Sequence, residues 1–148
     1  MKILVINGVN MNMLGVREPD VYGSKTLKDV EKELHDFSKQ INVEIETYQS
    51  NIEGEIVEKI QSSLNTFDGI VINPAAYTHT SIAIRDAISA VNIPTVEIHM
   101  TNINSREDFR QKSLIVPVCI AQISGFGTES YKLGLQGLVS YLKSKKTQ

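Results

Sequence analysis

Cysteine and tryptophan are nearly missing from this chain of 148 residues, which has one Cys and no Trp. The single cysteine, Cys119, excludes an internal disulfide. Because it lies within the apolar run "VPVCIAQI", we predict a buried thiol without a chemical role. No segment approaches the roughly 20 apolar residues of a membrane span, and the run "MKILVI" is too short for a signal peptide. We therefore expect a cytoplasmic protein that does not contact membranes.

An excess of positive charge is missing as well. The formal net charge is -2, which argues against a general affinity for nucleic acid. The glycines also fail to form a nucleotide-binding motif: Gly8 and Gly15 are not followed by Gly-Lys-Ser/Thr, and the "GFG" at 125–127 lacks the third glycine of a dinucleotide fingerprint. The usual sequence signals for nucleic-acid and nucleotide partners are therefore absent.

The chain does contain a regular alternation of short apolar runs and helical patterns. Five runs rich in β-branched residues are bounded by Asn, Gly, Pro or Ser, as strands usually are, at residues 2–7, 42–49, 68–74, 92–100 and 116–124. Apolar residues recur at helical spacing over 27–41, 56–64, 84–91 and 131–142. Capping boxes predict two helix starts, Thr26 with Asp29 before the first helix and Ser105 with Asp108 after the fourth strand.

This alternation predicts an α/β fold, with a parallel sheet covered by helices on both faces. For five strands we expect one domain over residues 1–148, with the doubly wound, flavodoxin-like strand order 2-1-3-4-5. Ligands of such sheets bind beyond the carboxyl ends of the strands, near the point where the strand order reverses. Chemistry is therefore expected in the loops that follow Asn7, Asn73, His99 and Ser124.

Polar side chains are concentrated at this edge of the sheet. Glu97 and His99 share one face of the fourth strand, so the carboxylate can hold the imidazole oriented and protonated. An exposed edge strand with two ordinary polar residues is the alternative. His79 follows the third strand, and a metal site from His79, His99 and Glu97 is a further alternative, although no HxxxH pair accompanies them.

Arginine is scarce, yet three of its four positions, Arg17, Arg106 and Arg110, follow strand ends. The planar guanidinium fork suits fixed recognition of carboxylates and hydroxyls. Ordinary surface charge is the alternative for Arg106 and Arg110. Arg17 lies in a connection over about residues 8–25 that is much longer than the usual 2 to 6 residues between a strand and a helix, which is typical of a lid.

Five segments together resemble the type II 3-dehydroquinate dehydratases, in order, over nearly the whole chain: "NGVNMNMLGVREPDVYG", "QSNIEGEIV", "INPAAYTHTSIAIRDA", "VEIHMTNINSREDFR" and "ISGFGTESYKLGL". The family pattern has Pro where this chain has Val9, commonly His where it has Ile52, and Leu-Ser where it has Met100 and Thr101. These departures concern the fit of the substrate.

The resemblance implies a hydro-lyase that dehydrates 3-dehydroquinate to 3-dehydroshikimate. The reaction belongs to the shikimate pathway, which leads to chorismate and the aromatic amino acids. The resemblance further implies that no metal or organic cofactor takes part, and that the chain assembles into a homo-dodecamer, a tetramer of trimers.

The resemblance also implies a role for individual residues. Tyr22 corresponds to the general base, and Arg17 to its activating partner on the same lid. His99 with Glu97 corresponds to the proton donor, and Asn10 to the group that stabilises the enolate through water. The remaining positions correspond to substrate contacts and supporting groups: Asn73, His79, the backbone at Met100 and Thr101, Arg110, Arg106, and Asp86 from a neighbouring subunit. For Asp86, an exposed position on a helix is the alternative.

A tyrosine base needs help from a cation. A phenol ionises only near pH 10 in water, and burial alone disfavours its charged form. The cation should therefore travel with the tyrosine, and one loop that carries both Arg17 and Tyr22 achieves this on closing. We also expect a second cation, such as Arg110, to support Tyr22 in the closed state.

Three rival interpretations use the same fold. A phosphorylation-controlled receiver needs acidic residues after the first and third strands, where this chain has Asn7-Gly8 and Asn73. A flavin-binding electron carrier needs a Ser/Thr-rich phosphate loop, and "GVNMNML" is not one. A purely structural oligomer that has lost its activity is disfavoured because each matched chemical residue is present.

Overall fold

A computed structural model describes all 148 residues. Its sheet has five parallel strands, β1 (Lys2–Asn7), β2 (Glu44–Gln49), β3 (Gly69–Asn73), β4 (Thr95–His99) and β5 (Ala121–Ser124). The strand order is β2-β1-β3-β4-β5. The predicted doubly wound sheet of order 2-1-3-4-5 is therefore confirmed.

Five α-helices connect or follow the strands: α1 (Pro19–Tyr22), α2 (Leu27–Gln40), α3 (Glu53–Gln61), α4 (Ile82–Val91) and α5 (Glu129–Lys146). Short 3-10 turns fill several loops, at Met11–Met13, Ala75–His79, Ile103–Ser105, Asp108–Arg110 and Val116–Val118. None of the helices combines the length and the apolar composition that crossing a bilayer requires.

The alternation of side chains along β1 explains why helices cover both faces of the sheet. Ile3 and Val5 point into one apolar cluster, which includes residues of α2 and α5, and they are at most 1% exposed. Leu4 and Ile6 point into a second cluster, with residues of α3 and α4. A strand that buries both faces is apolar without interruption, as the sequence "ILVI" is.

The first predicted capping box is confirmed, and the second is wrong. The backbone N–H of Asp29 donates to the Thr26 hydroxyl at 3.2 Å, and the Thr26 N–H donates to the Asp29 carboxylate at 2.9 Å, so α2 begins as expected. Ser105 instead ends a 3-10 turn, and its hydroxyl donates to the carbonyl of Asn102 at 2.9 Å. The Ser105 hydroxyl that a capping box would use is therefore bound to the nearby Asn102 carbonyl.

The predicted start of the last strand is also wrong. The strand begins at Ala121 rather than at residue 116, because Val116–Val118 forms a 3-10 turn around Pro117. Proline has no N–H for a sheet and a φ angle fixed near the helical value. Cys119 therefore lies just before the strand and is half-buried, and desolvation raises the pKa of its thiol to about 12.

A close approach between α5 and β4 fixes the position of the last helix. A Cβ atom on Gly134 would lie only 2.7 Å from Cγ2 of Ile98, so a side chain there would push the helix away from the sheet. Gly137, one turn further on, has no atom within 4 Å of such a Cβ. The close contact at Gly134 holds the first turn of α5, with Tyr131, above the carboxyl ends of the strands.

Candidate active site

A cleft of about 660 Å³, part of it open to solvent, lies at the carboxyl ends of β1, β3 and β4. Ten of the twelve residues singled out from the sequence line it: Asn10, Arg17, Tyr22, Asn73, His79, His99, Met100, Thr101, Arg106 and Arg110. Residues from three separate parts of the chain thus meet at the edge of the sheet that the topology predicts.

The long connection after β1 has structure of its own and folds back on itself. A 3-10 turn at Met11–Met13 is followed by the single-turn helix α1, which has Pro at its first position. Gly15 has a φ of +90°, and a Cβ there would lie 3.0 Å from the carbonyl oxygen of Ser24. The two ends of the segment therefore touch, and Arg17 and Tyr22 are carried between them over the cleft.

Two guanidinium groups surround Tyr22. Nη1 of Arg106 donates to the Tyr22 hydroxyl at 3.3 Å, and the guanidinium carbon of Arg17 lies 5.4 Å from the centre of the ring. The hydrogen bond with Tyr22 is the main cause that raises the pKa of Arg106 above its already high ordinary value. One guanidinium therefore lies against the phenol oxygen and the other against the ring.

The second cation at Tyr22 is thus Arg106 and not Arg110. Nε of Arg110 lies 3.1 Å from the carboxylate of Glu107, and its guanidinium carbon lies 5.0 Å from the ring centre of Phe109. Arg110 still lines the cleft, but the hydrogen bond to the phenol oxygen comes from Arg106.

Glu97 and His99 form a buried pair at the end of β4. Glu97 is 0% exposed and His99 is 6% exposed, and Oε2 of Glu97 lies 3.4 Å from Nε2 of His99. The alternative of an exposed edge strand is wrong, because β4 lies between β3 and β5. Nε2 faces the carboxylate, so Nδ1 is the ring nitrogen that can exchange a proton with a molecule in the cleft.

Three neutral side chains complete the surroundings of the Glu97 carboxylate. The Thr78 hydroxyl donates to Oε1, and the Ser113 hydroxyl donates to the same oxygen at 2.7 Å. Gln122 donates its side-chain N–H to Oε2. Burial on its own raises the pKa of Glu97, but His99 and the two hydroxyls outweigh it, so the pKa lies below its ordinary value. Glu97 therefore stays ionised inside the protein.

Other predicted residues are fixed by hydrogen bonds around the cleft. Nδ1 of His79 lies 2.8 Å from the carbonyl oxygen of Lys112, and the Thr101 hydroxyl accepts a hydrogen bond from Arg106 at 3.3 Å. The backbone N–H of Asn10 donates to the side chain of Asn51 at 2.9 Å. Asn10 adopts a φ of 65°, a conformation that asparagine tolerates better than most residues.

Asp86 does not belong to the cleft within one chain. It is exposed on α4 and is absent from the residues that line the cleft. No three His, Cys, Asp or Glu side chains lie close enough together to ligate a metal ion. His79, His99 and Glu97 therefore do not form the ligand cluster that the sequence left open.

Sequence reasoning missed the apolar wall of the cleft and the donors to Glu97. The wall is formed by Met11, Leu14, Ala75, Ala76 and Ile103. Such residues look like ordinary core positions in a sequence. A signal for Gln122 did exist, because it pairs with Glu97 across β4 and β5, so the correct register would have placed the two side chains on the same face.

The fold and the cleft define a flavodoxin-like α/β protein equipped for acid–base chemistry on a small polar molecule. The family model described as "Dehydroquinase class II" matches residues 1–139 of the chain. The chain belongs to this class II dehydroquinase family, and the resemblance seen in the motifs is confirmed.

Individual relatives agree with the family model. The 3-dehydroquinate dehydratase of Geotalea daltonii is 56% identical over 143 residues, which cover 97% of this chain and 99% of the relative. The 3-dehydroquinate dehydratase of Sulfurimonas denitrificans is 56% identical over 146 residues, covering 99% and 91%. The crystal structure of type II dehydroquinase from Butyrivibrio crossotus superposes with a TM-score of 0.92 at 48% identity, covering 94% of this chain and 97% of that one.

The buried Glu97 carboxylate makes the stability of the fold depend on pH. Its pKa is lower in the folded chain than in the unfolded one, so its contribution is present at neutral pH and is lost as the pH falls below about 4.3 toward the folded value. We expect Glu97→Gln to be less stable than the wild type by about 1–3 kcal/mol at pH 7. The difference should shrink steadily as the pH is lowered below about 4.3.

Urea unfolding between pH 7 and pH 3.5 measures this difference. Glu58→Gln is the matched control, because Glu58 is exposed on α3 and makes no salt bridge, and it should follow the wild type at every pH. A difference in the free energy of unfolding between Glu97→Gln and the wild type that stays constant down to the lowest pH would contradict the lowered pKa of Glu97.

Proposed function

We propose that this cleft dehydrates 3-dehydroquinate to 3-dehydroshikimate, with Tyr22 as the base and His99 as the acid. The activity follows from membership of the family and from relatives named 3-dehydroquinate dehydratase. The observation that carries the mechanism is the contact of the Tyr22 hydroxyl with a guanidinium in the same cleft as His99. The enzyme is a hydro-lyase of the shikimate pathway.

The first step is proton abstraction from the carbon beside the ketone. A phenolate at Tyr22 takes this proton, and the electrons of the broken C–H bond move into the ketone to form an enolate. Arg106 at the oxygen and Arg17 at the ring supply positive charge beside this phenolate. Asn10, which lines the cleft, stabilises the negative enolate oxygen through a bridging water in this proposal.

The second step expels the hydroxyl group at the β carbon. The enolate electrons form the new C=C bond, the C–O bond breaks, and His99 donates the proton that makes the leaving group water. The ionised Glu97 lies behind the imidazole ring and holds its orientation for the transfer. His79, Asn73, Arg110 and the chain at Met100 and Thr101 remain to bind the substrate.

The segment over residues 8–25 acts as a lid in this proposal. Closure brings Arg17 and Tyr22 together onto the substrate and removes water, which strengthens the effect of both cations on the phenol. Arg106 belongs to the loop after β4 rather than to the lid. In this proposal the contact between Arg106 and Tyr22 joins the lid to the loop after β4.

We further propose that the chain functions as one catalytic domain in a cytoplasmic homo-dodecamer, a tetramer of trimers. Asp86 supports this proposal because it is exposed on α4 and lies outside its own cleft. A neighbouring subunit can bring that carboxylate to the substrate site. Exposed apolar side chains on the same surface of the chain, such as Ile82 at 63%, would also be covered by a neighbour.

Replacement of Tyr22 by Phe tests the base. The variant keeps the ring that stacks with Arg17 and loses only the hydroxyl, so kcat should fall by about 10²–10⁴-fold. The measurement is the rise in enone absorbance after mixing with 3-dehydroquinate. Tyr48→Phe is the matched control, since Tyr48 lies on β2 outside the cleft, and it should keep full activity. Activity of Tyr22→Phe within a few-fold of the wild type would eliminate Tyr22 as the base.

Arg106 and Arg110 should differ in their pH dependence. Arg106→Gln removes the cation on the phenol oxygen, so the acidic limb of the kcat/KM profile should move to higher pH by about 1–3 pH units. Arg110→Gln should raise KM and leave that limb in place, because Arg110 does not contact Tyr22. If both variants move the limb equally, the cation effect is general and not specific to the contact with Arg106.

The assembly is tested by sedimentation of the purified chain together with Asp86→Asn. We expect a species of about twelve chains and a raised KM for the variant, with its assembly unchanged. Asp36→Asn, at an exposed position on α2, serves as the control. A fully active monomer would remove Asp86 from the site.

A further inference from the structure

A buried tyrosine that takes no part in the proposed reaction joins the cleft to the core. Tyr131 lies in the first turn of α5 and is 1% exposed. Its hydroxyl donates to Oδ1 of Asn7 at 2.5 Å and accepts from Nδ2 of Asn73 at 3.0 Å. Burial is the main cause that raises the pKa of Tyr131, so this hydroxyl remains neutral and keeps its proton.

The direction of these hydrogen bonds follows from the number of protons available. A neutral hydroxyl has one proton, and here Asn7 accepts it. Tyr131 can then serve Asn73 only as an acceptor, which requires the amide nitrogen of Asn73 to face it. On the other side, Oδ1 of Asn73 accepts the backbone N–H of Ala75 at 3.1 Å. Rotating the Asn73 amide by half a turn would break both hydrogen bonds at once.

The same arrangement decides what Asn73 presents to the cleft. An amide nitrogen has two protons, and one of them is bound to Tyr131. The other points toward Sδ of Met11 at 3.7 Å, and a thioether is a weak acceptor that a substrate oxygen can replace. Asn73 therefore offers a hydrogen-bond donor, and not an acceptor, to the cleft that it lines.

We propose that Tyr131 is a positioning residue that locks the Asn73 amide as a donor to an oxygen atom of the substrate. The proposal rests on the proposed function, because the substrate is 3-dehydroquinate, whose carbonyl, hydroxyl and carboxylate oxygens accept such a bond. Tyr131 itself does not touch the substrate. It acts through Asn73, and it also helps to hold Ala75, whose φ of 55° is unusual for a residue with a side chain.

A double-mutant cycle separates this role from a general effect on stability. Tyr131→Phe should raise KM by about three- to tenfold with little change in kcat, because the hydrogen bond from Asn73 becomes poorly oriented. In an Asn73→Ala background, Tyr131→Phe should leave KM unchanged. Val139→Ala, a truncation on the buried face of the same helix, should lower the melting temperature without changing KM. An equal rise in KM in both backgrounds would overturn the proposal.

A crystal structure of Tyr131→Phe provides a readout that does not require activity. We expect the Asn73 side chain to rotate or to occupy two orientations once its nitrogen has lost its partner. An Asn73 side chain that keeps its place and its bond to Ala75 would overturn the positioning role even if the enzyme is active. Wild-type protein that fails to turn over 3-dehydroquinate would instead overturn the proposed function, while a rotated Asn73 would still support the positioning role.

Discussion

The hydrogen bond from Arg106 to the Tyr22 hydroxyl is the interaction on which the proposed chemistry depends. A phenol is a poor base near neutral pH, and removing it from water makes it poorer unless a positive charge comes with it. Here one guanidinium lies on the oxygen and another on the ring. The two arginines come from different parts of the chain, so in the proposed mechanism the base is complete only when the segment after β1 lies against the loop after β4.

The acid is built on the opposite principle. His99 and Glu97 lie on a central strand, and the carboxylate receives hydrogen bonds from Thr78, Ser113 and Gln122 in addition to its contact with the imidazole. Burying a charge is costly unless several groups satisfy it. In the proposed mechanism the acid is fixed on a strand and the base is carried on a long connection. The strand keeps the geometry of the acid constant, whereas the connection admits the substrate.

Much of this architecture could be predicted because it depends on local sequence pattern. The strand order follows from the alternation of strands and helices, and the cleft residues gather because the carboxyl ends of parallel strands share one edge. The contact of Arg106 with Tyr22 spans 84 positions, and no periodicity indicates it, so the sequence does not distinguish Arg106 from Arg110 as the second cation. The start of β5 was misplaced because Pro117 overrode an apolar pattern that favoured a strand. The capping box at Ser105 failed because a nearer backbone carbonyl took its hydroxyl.

The reversal of strand order explains why a polar network can exist in the centre of the molecule. The chain leaves β1 toward α2 on one face of the sheet and leaves β3 toward α4 on the other, so the two connections diverge and leave a crevice beyond the ends of these adjacent strands. Asn7 and Asn73 are paired at the ends of these two strands, and their side chains are 1% and 3% exposed. The amides would be left unsatisfied beside an apolar core, and the close packing of α5 at Gly134 brings Tyr131 near enough to bond both of them. The topology that forms the cleft therefore also leaves two buried amides that need the Tyr131 hydroxyl as a hydrogen-bond partner.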